Sequence, residues 1–274
     1  MKRKRLFTSA SLVILLASTS ANAAVLLTDN FNTNGGRPFD NIGPGLFNDF
    51  LSLDQGGTLA TTTYSGSSNH PSASGGFYYS IHGYQGALYL EGADNSKVGL
   101  NHNFATDAIS SGQALKIDFN LSVGGGGNTA AEGVSFAVGN NAIADYDSAG
   151  NKFSSFFLAG AQTGTKQYAA GSQIGNTITF VDGDLFTYVI SNAAGTGSAF
   201  DGSGNSVVKF YVNNALQQTF TGLTFGANDG FINLEATGNV NGLYDNLSIQ
   251  TIPEPGAALL GGLGMLCLLR RRRA

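Results

Sequence analysis

The chain has 274 residues with 14 Lys and Arg against 18 Asp and Glu, but four cations sit at each terminus, and residues 24–252 hold six cations against 17 acids, a charge of about −11. Such a field repels nucleic acid and anionic lipid surfaces and favours cations. Cys267 is the single cysteine and lies near the C-terminus, so the central stretch has no thiol, which excludes disulfides, thiolate metal sites, cysteine nucleophiles and C-x-x-C-H haem attachment.

At the N-terminus Lys2, Arg3, Lys4 and Arg5 precede an apolar stretch from Leu6 to Leu16, and Ala21-Asn22-Ala23 supplies small residues at a cleavage site. This pattern predicts a secretory signal peptide over residues 1–23, cut after Ala23, because the apolar core is shorter than the roughly 20 residues that span a bilayer. Export by a Sec-type machinery follows. Residues 24–250 are then expected to form one domain, large enough to hide a sizeable core without covalent staples.

Along that domain the apolar residues recur with period two. Lys116 to Val123 alternates without a break and places Ile117, Phe119, Leu121 and Val123 on one face. Gly133 to Val138 repeats the pattern. Val208 to Val212 runs into Asn213-Asn214 and returns through Ala215 to Phe220, and since Asn tolerates positive φ this predicts a two-residue hairpin. Further strands are predicted at Thr58 to Tyr64, Gly76 to His82, Ala87 to Glu91, Val98 to Phe104, Phe153 to Leu158, Thr177 to Val181, Leu185 to Ser191, Gly230 to Ala236 and Leu243 to Ile249. No segment between the termini has helical periodicity. Short strands separated by Gly, Asn, Asp and Ser, with connections too short for crossover helices, predict an all-β, antiparallel two-sheet sandwich. Gly124 to Gly127 reads as a loop, since neither a Lys-Ser/Thr pair nor a helix follows it.

Gly86 to Leu90, Glu132 to Ala137, Val208 to Asn213 and Gly242 to Ile249 resemble the strands of concanavalin A-like lectin and glucanase jelly rolls. That resemblance implies a jelly-roll fold and maps a sugar-binding carboxylate onto Glu132. The family's Glu-x-Asp metal strand and Glu-x-Asp-x-x-Glu catalytic strand have no counterpart here. Phe77-Tyr78-Tyr79 with Tyr84 and Tyr89 is the densest aromatic patch, and alternate members face opposite sides of a strand, so Tyr78 and Tyr84 are candidates for stacking on a sugar ring. Asp145, Asp147 and Asn151 supply oxygen ligands at alternating positions around Gly150, which reads either as a polar turn or as the first half of a calcium loop. No other cofactor is implied. His70, His82 and His102 lack the spacing of a metal pair.

The chain closes with Pro253-Glu254-Pro255, an apolar run of 14 residues from Gly256 to Leu269, and Arg270, Arg271, Arg272 and Arg273. The run is short for a transmembrane helix, but the arginines act as a stop-transfer signal and can snorkel to cover it, leaving the C-terminus cytoplasmic. The two prolines predict a stiff, extended segment open to a processing enzyme. Motif, apolar helix and Arg cluster together resemble the PEP-CTERM sorting signal of exopolysaccharide-producing Gram-negative bacteria, here residues 251–274. The resemblance implies recognition and removal by an exosortase, a membrane-embedded cysteine transpeptidase-like enzyme, after transient anchoring in the inner membrane. Delivery to the cell surface or extracellular matrix follows. The expected function is that of a non-catalytic, lectin-like biofilm-matrix protein that associates with exopolysaccharide. The alternatives are a secreted glycoside-active enzyme using Glu132 or Glu91 with a nearby Asp, and a structural matrix protein with no small ligand.

Overall fold

The computed structural model describes residues 23–31, 45–50, 55–69, 81–84, 86–126, 129–160, 164–195 and 197–254, with the backbone alone at 45–50 and at His82. In chain order the strands are β1 (Ala24–Asp29), β2 (Gly45–Phe50), β3 (Gln55–Gly56), β4 (Tyr64–Ser68), β5 (Ile81–Tyr84), β6 (Ala87–Glu91), β7 (Ser96–Leu100), β8 (Ala114–Gly125) and β9 (Gly133–Gly139). They continue with β10 (Asn151–Leu158), β11 (Gly164–Ala169), β12 (Ser172–Ile178), β13 (Asp184–Asn192), β14 (Ser206–Val212), β15 (Ala215–Leu223), β16 (Phe231–Thr237) and β17 (Val240–Ile252).

Two antiparallel sheets form a jelly-roll sandwich. The first runs β15-β14-β13-β8-β17-β1-β3, with the β5–β6 hairpin attached to β17, and the second runs β12-β11-β10-β9-β16-β7-β4-β2. Connections such as β8 to β9, β12 to β13 and β15 to β16 cross from one sheet to the other. The core between them is aromatic. Phe119, Phe186, Tyr188, Phe210 and Tyr244 from the first sheet meet Phe136, Phe153 and Phe157 from the second, all fully buried. Phe136 stacks on Tyr188 at 4.5 Å, Tyr188 on Phe210 at 5.0 Å, and the Tyr244 hydroxyl donates to the Ser135 carbonyl at 2.7 Å, tying sheet to sheet. Rings of this size remove large apolar areas from water, which is how a thiol-free domain holds together.

Most of the alternating segments form strands as expected, but the strand expected over Val98 to Phe104 ends at Leu100, and residues 76–80 of the one expected over Gly76 to His82 lie outside the described residues. Asn213 and Asn214 have φ of +49° and +66°, the turn that the two-residue hairpin requires. Other expectations are corrected. Residues 57–61 are turns, so the strand expected over Thr58 to Tyr64 begins only at its last residue. The strand expected over Thr177 to Val181 lies earlier, at Ser172–Ile178, and β11 was not anticipated. A seven-residue helix, α1 (Ala105–Ser111), occupies a region where no helical periodicity is visible. Phe104, Ala105 and Ala108 bury its inner face, and Gly112 ends it in the left-handed region at φ +62°. The domain also runs past residue 250, because Thr251 and Ile252 belong to β17.

Candidate functional site

A cleft opens on the outer face of the first sheet, where β17 changes partner. Its residues 241–244 pair with β6 and its residues 247–251 pair with β1, so neither strand covers Asp245 and Asn246 on that side. On the other side the register with β8 slips between Asp245 and Ser248, a bulge that sets Asn246 at φ +52°. The Asn246 amide donates to Asp245 Oδ1 at 2.6 Å, and its carboxamide donates to Asp245 Oδ2 at 3.1 Å and to Asn120 Oδ1 at 3.2 Å. Asn120 Nδ2 in turn donates to the Gly183 carbonyl at 2.9 Å. Burial pushes the Asp245 carboxyl above the usual carboxylate range, partly opposed by the Asn246 amide. The adjoining ends of β5 and β6, at Tyr84 and Ala87, also line the cleft. Tyr84 there is 47% exposed, with its ring centred 6.1 Å from that of Tyr89. The cleft, about 340 Å³, is lined by Tyr84, Ala87, Asn120, Ser122, Asp245 and Asn246 among others. It offers an aromatic face, one carboxylate and two carboxamides, the groups that bind hydroxyl-rich rings.

Of the described residues selected from sequence, only Tyr84 lines this cleft. Tyr78 lies outside the described residues. Glu132 stands at the entry to β9, in the opposite sheet, where its Oε2 accepts the Thr129 amide at 3.0 Å and its side chain packs against Gly238. Asp145, Asp147 and Asn151 do not converge. Asp145 pairs with Lys97, Asp147 is exposed, and the Asn151 carboxamide turns inward, donating to the Asp145 carbonyl at 2.7 Å and accepting from Asn233 at 3.3 Å. Among the described residues no cluster of His, Cys, Asp or Glu side chains is arranged to hold a metal ion. His102 bonds Asp107 at 2.7 Å beside α1.

That turn instead covers Glu235. The side chain lies on the outer face of β16 yet is only 3% exposed, because residues 140–150 fold over it. Its Oε2 accepts the Tyr146 amide at 2.8 Å and the Ser135 hydroxyl at 3.3 Å, with Lys97 3.9 Å from Oε1. Tyr146 is itself stacked on Phe156 at 4.1 Å. Burial pushes the Glu235 carboxyl up to about 7, against the pull of Lys97. The alternation in β16 assigns this residue to the solvent face, so only the long turn between β9 and β10 hints at a cover.

The sorting segment departs from expectation. Rather than standing open, Thr251 is 2% exposed and pairs with Leu115, Ile252 pairs with Ala114, and Glu254 is 1% exposed with Oε1 accepting the Asn192 amide at 3.1 Å. Burial raises the Glu254 carboxyl above its ordinary value, opposed by the Asn192 amide and Lys209. Ala23 is exposed just before β1, whereas Ala21, Pro255, the apolar run and Arg270 to Arg273 lie outside the described residues. Among the described residues no helix is long and apolar enough to cross a membrane.

Residues 251–273 match the PEP-CTERM protein-sorting motif family. The motif marks an exported, surface-directed protein of Gram-negative bacteria that an exosortase processes. No curated protein sequence matches the chain. Among solved structures, the carbohydrate recognition domain of Emp46p in its metal-free form is similar with TM-score 0.41 and 11% identity, covering 69% of this chain and 84% of that one. The binding domain of botulinum neurotoxin serotype C1 is similar with TM-score 0.42 and 12% identity, covering 82% of this chain and 48% of that one, so this chain spans about half its length.

Proposed function

We propose that the exported sandwich is a non-catalytic matrix protein that binds exopolysaccharide in the cleft beside Tyr84. The observation that carries this reading is the grouping of an exposed aromatic ring with Asp245, Asn120 and Asn246 in one open depression. Stacking holds a ring by its apolar face while the carboxylate and carboxamides select its hydroxyls. Among the described residues no cation lines the cleft, and the domain is strongly acidic, which favours a neutral or amino-bearing polymer over a uronate-rich one. Asp245 is the one carboxylate among the described lining residues. Glycoside hydrolysis ordinarily needs two carboxylates flanking the bond, which counts against the enzymatic alternative.

A glycan array probed with the processed protein released from cells tests this. Binding to neutral or amino-sugar polymers is expected, weakened roughly tenfold by Tyr84→Ala, the loss of one aromatic contact. No reducing sugar should be released from the bound polymer. Equal binding by Tyr84→Ala and wild type removes the cleft as the site, and product release removes the non-catalytic reading.

A further inference from the structure

The end of β17 lies beside the first residue of β8: Gln250 pairs with Lys116, Thr251 with Leu115 and Ile252 with Ala114. Two residues further on, Glu254 bonds Asn192 at the end of β13, the strand on the far side of β8. Neighbouring strands are about 4.8 Å apart, so the segment crosses over the start of β8 to reach it. Asn192 is well fixed to receive it. Its Oδ1 accepts the Ala194 amide at 2.9 Å and its Nδ2 donates to the Ser198 carbonyl at 3.1 Å, which holds the turn after β13 in place. Lys209, on the neighbouring β14, attracts the carboxylate. Glu254 Oε2 is buried with no hydrogen-bond partner among the described residues, so the side chain is held in the notch rather than solvated.

We propose that the sandwich contains a docking site for its own sorting motif, formed by the Asn192 amide at the end of β13, and that the exosortase acts only on molecules in which Glu254 has left it. An enzyme that binds a peptide in its active site needs that peptide accessible, and cleavage of a segment that opens transiently tracks the open population. A charge-assisted hydrogen bond of ordinary strength leaves about a tenth of the molecules open, or fewer.

Pulse-chase labelling of the full chain in cells that carry the exosortase tests this with two variants, neither of which changes the motif. A short Gly-Ser linker inserted between Ile252 and Pro253 frees Glu254 from the notch, and conversion of precursor to processed protein is expected to be about tenfold faster. Lys209→Glu keeps the tether length but sets a like charge against Glu254, and should also accelerate conversion, by several-fold. Protease resistance of the sandwich is followed in parallel, and if the linker variant loses it the decision rests on Lys209→Glu alone. Acceleration by the linker only would show a steric tether in place of a docking site. Unchanged or slower conversion in Lys209→Glu overturns the proposal.

Discussion

Glu235 is a carboxyl held near neutrality by burial, and the sign of its effect on stability follows directly. Its folded value of about 7 lies above the ordinary 4.5, so the folded state binds this proton more tightly than the unfolded state. The stability contributed by the protonated side chain is fully present below about pH 4.5 and is lost as pH rises to about 7. A shift of this size amounts to roughly 3 kcal/mol across the window. Lys97, Asp145, Ser135 and the Tyr146 amide face the group, with the nearby cation already opposing the effect of burial. Glu235→Gln should therefore unfold at nearly the wild-type temperature near pH 4.5 and at a higher one above pH 7, by several degrees, measured by thermal denaturation across the pH range. A difference between the two proteins that does not vary with pH would show that Glu235 titrates normally. Nothing in β16 alone discloses this, because a Glu at an outward position is what a half-solvated strand carries. The turn that buries it reads from sequence as a polar turn or half a calcium loop, neither of which announces a cover over β16.

Strand alternation made most of the sandwich legible, and its failures have identifiable causes. β8, β9, β14 and β16 separate an apolar core face from the other face, so their period is visible. β12 is an edge strand with exposed or half-exposed residues throughout, so no alternation marks it. α1 is too short to repeat a helical period, and its inner face is built from Phe104 and two alanines. The β14–β15 hairpin was legible because Asn-Asn can adopt positive φ, yet the two residues are not equivalent. Asn213 Oδ1 accepts the Leu185 amide at 3.0 Å and its Nδ2 donates to Asp184 at 2.7 Å, tying the turn to β13. Asn214→Gly should relieve positive-φ strain and leave stability unchanged or raised by up to about 1 kcal/mol. Asn213→Gly relieves the same strain but removes both ties, and a net loss of about 1 kcal/mol is expected. Denaturant midpoints for the two variants, shifted in the same direction, would show that the ties to β13 carry no weight.

At the scale of the whole molecule, acidity unites the site and the fold. Tyr84 was legible as an aromatic near the domain surface, but its partners Asn120, Asp245 and Asn246 were not, since they come from strands far apart in sequence and meet only through the bulge in β17. The charge balance, by contrast, was legible throughout. Of the few cations, Lys97 pairs with Asp145, Lys116 bonds Asp118 at 2.6 Å and Lys166 donates to the Ala130 carbonyl at 3.2 Å, so several are already engaged with the protein itself. The remaining field is net negative, and the folded state brings its acids closer together than the unfolded chain does. Self-repulsion of this kind weakens as added salt shortens the screening length from about 30 Å at 0.01 M to about 8 Å at 0.15 M. Thermal stability of the processed protein at neutral pH should therefore rise by a few degrees over that range, opposite to a fold held by surface ion pairs. Binding of an amino-bearing polymer should weaken over the same range, because the same screening removes the attraction that recruits it. A melting temperature that falls with salt would mean that the local pairs at Lys97 and Lys116 outweigh the net charge, and the preference for cationic polymer would lose its electrostatic basis.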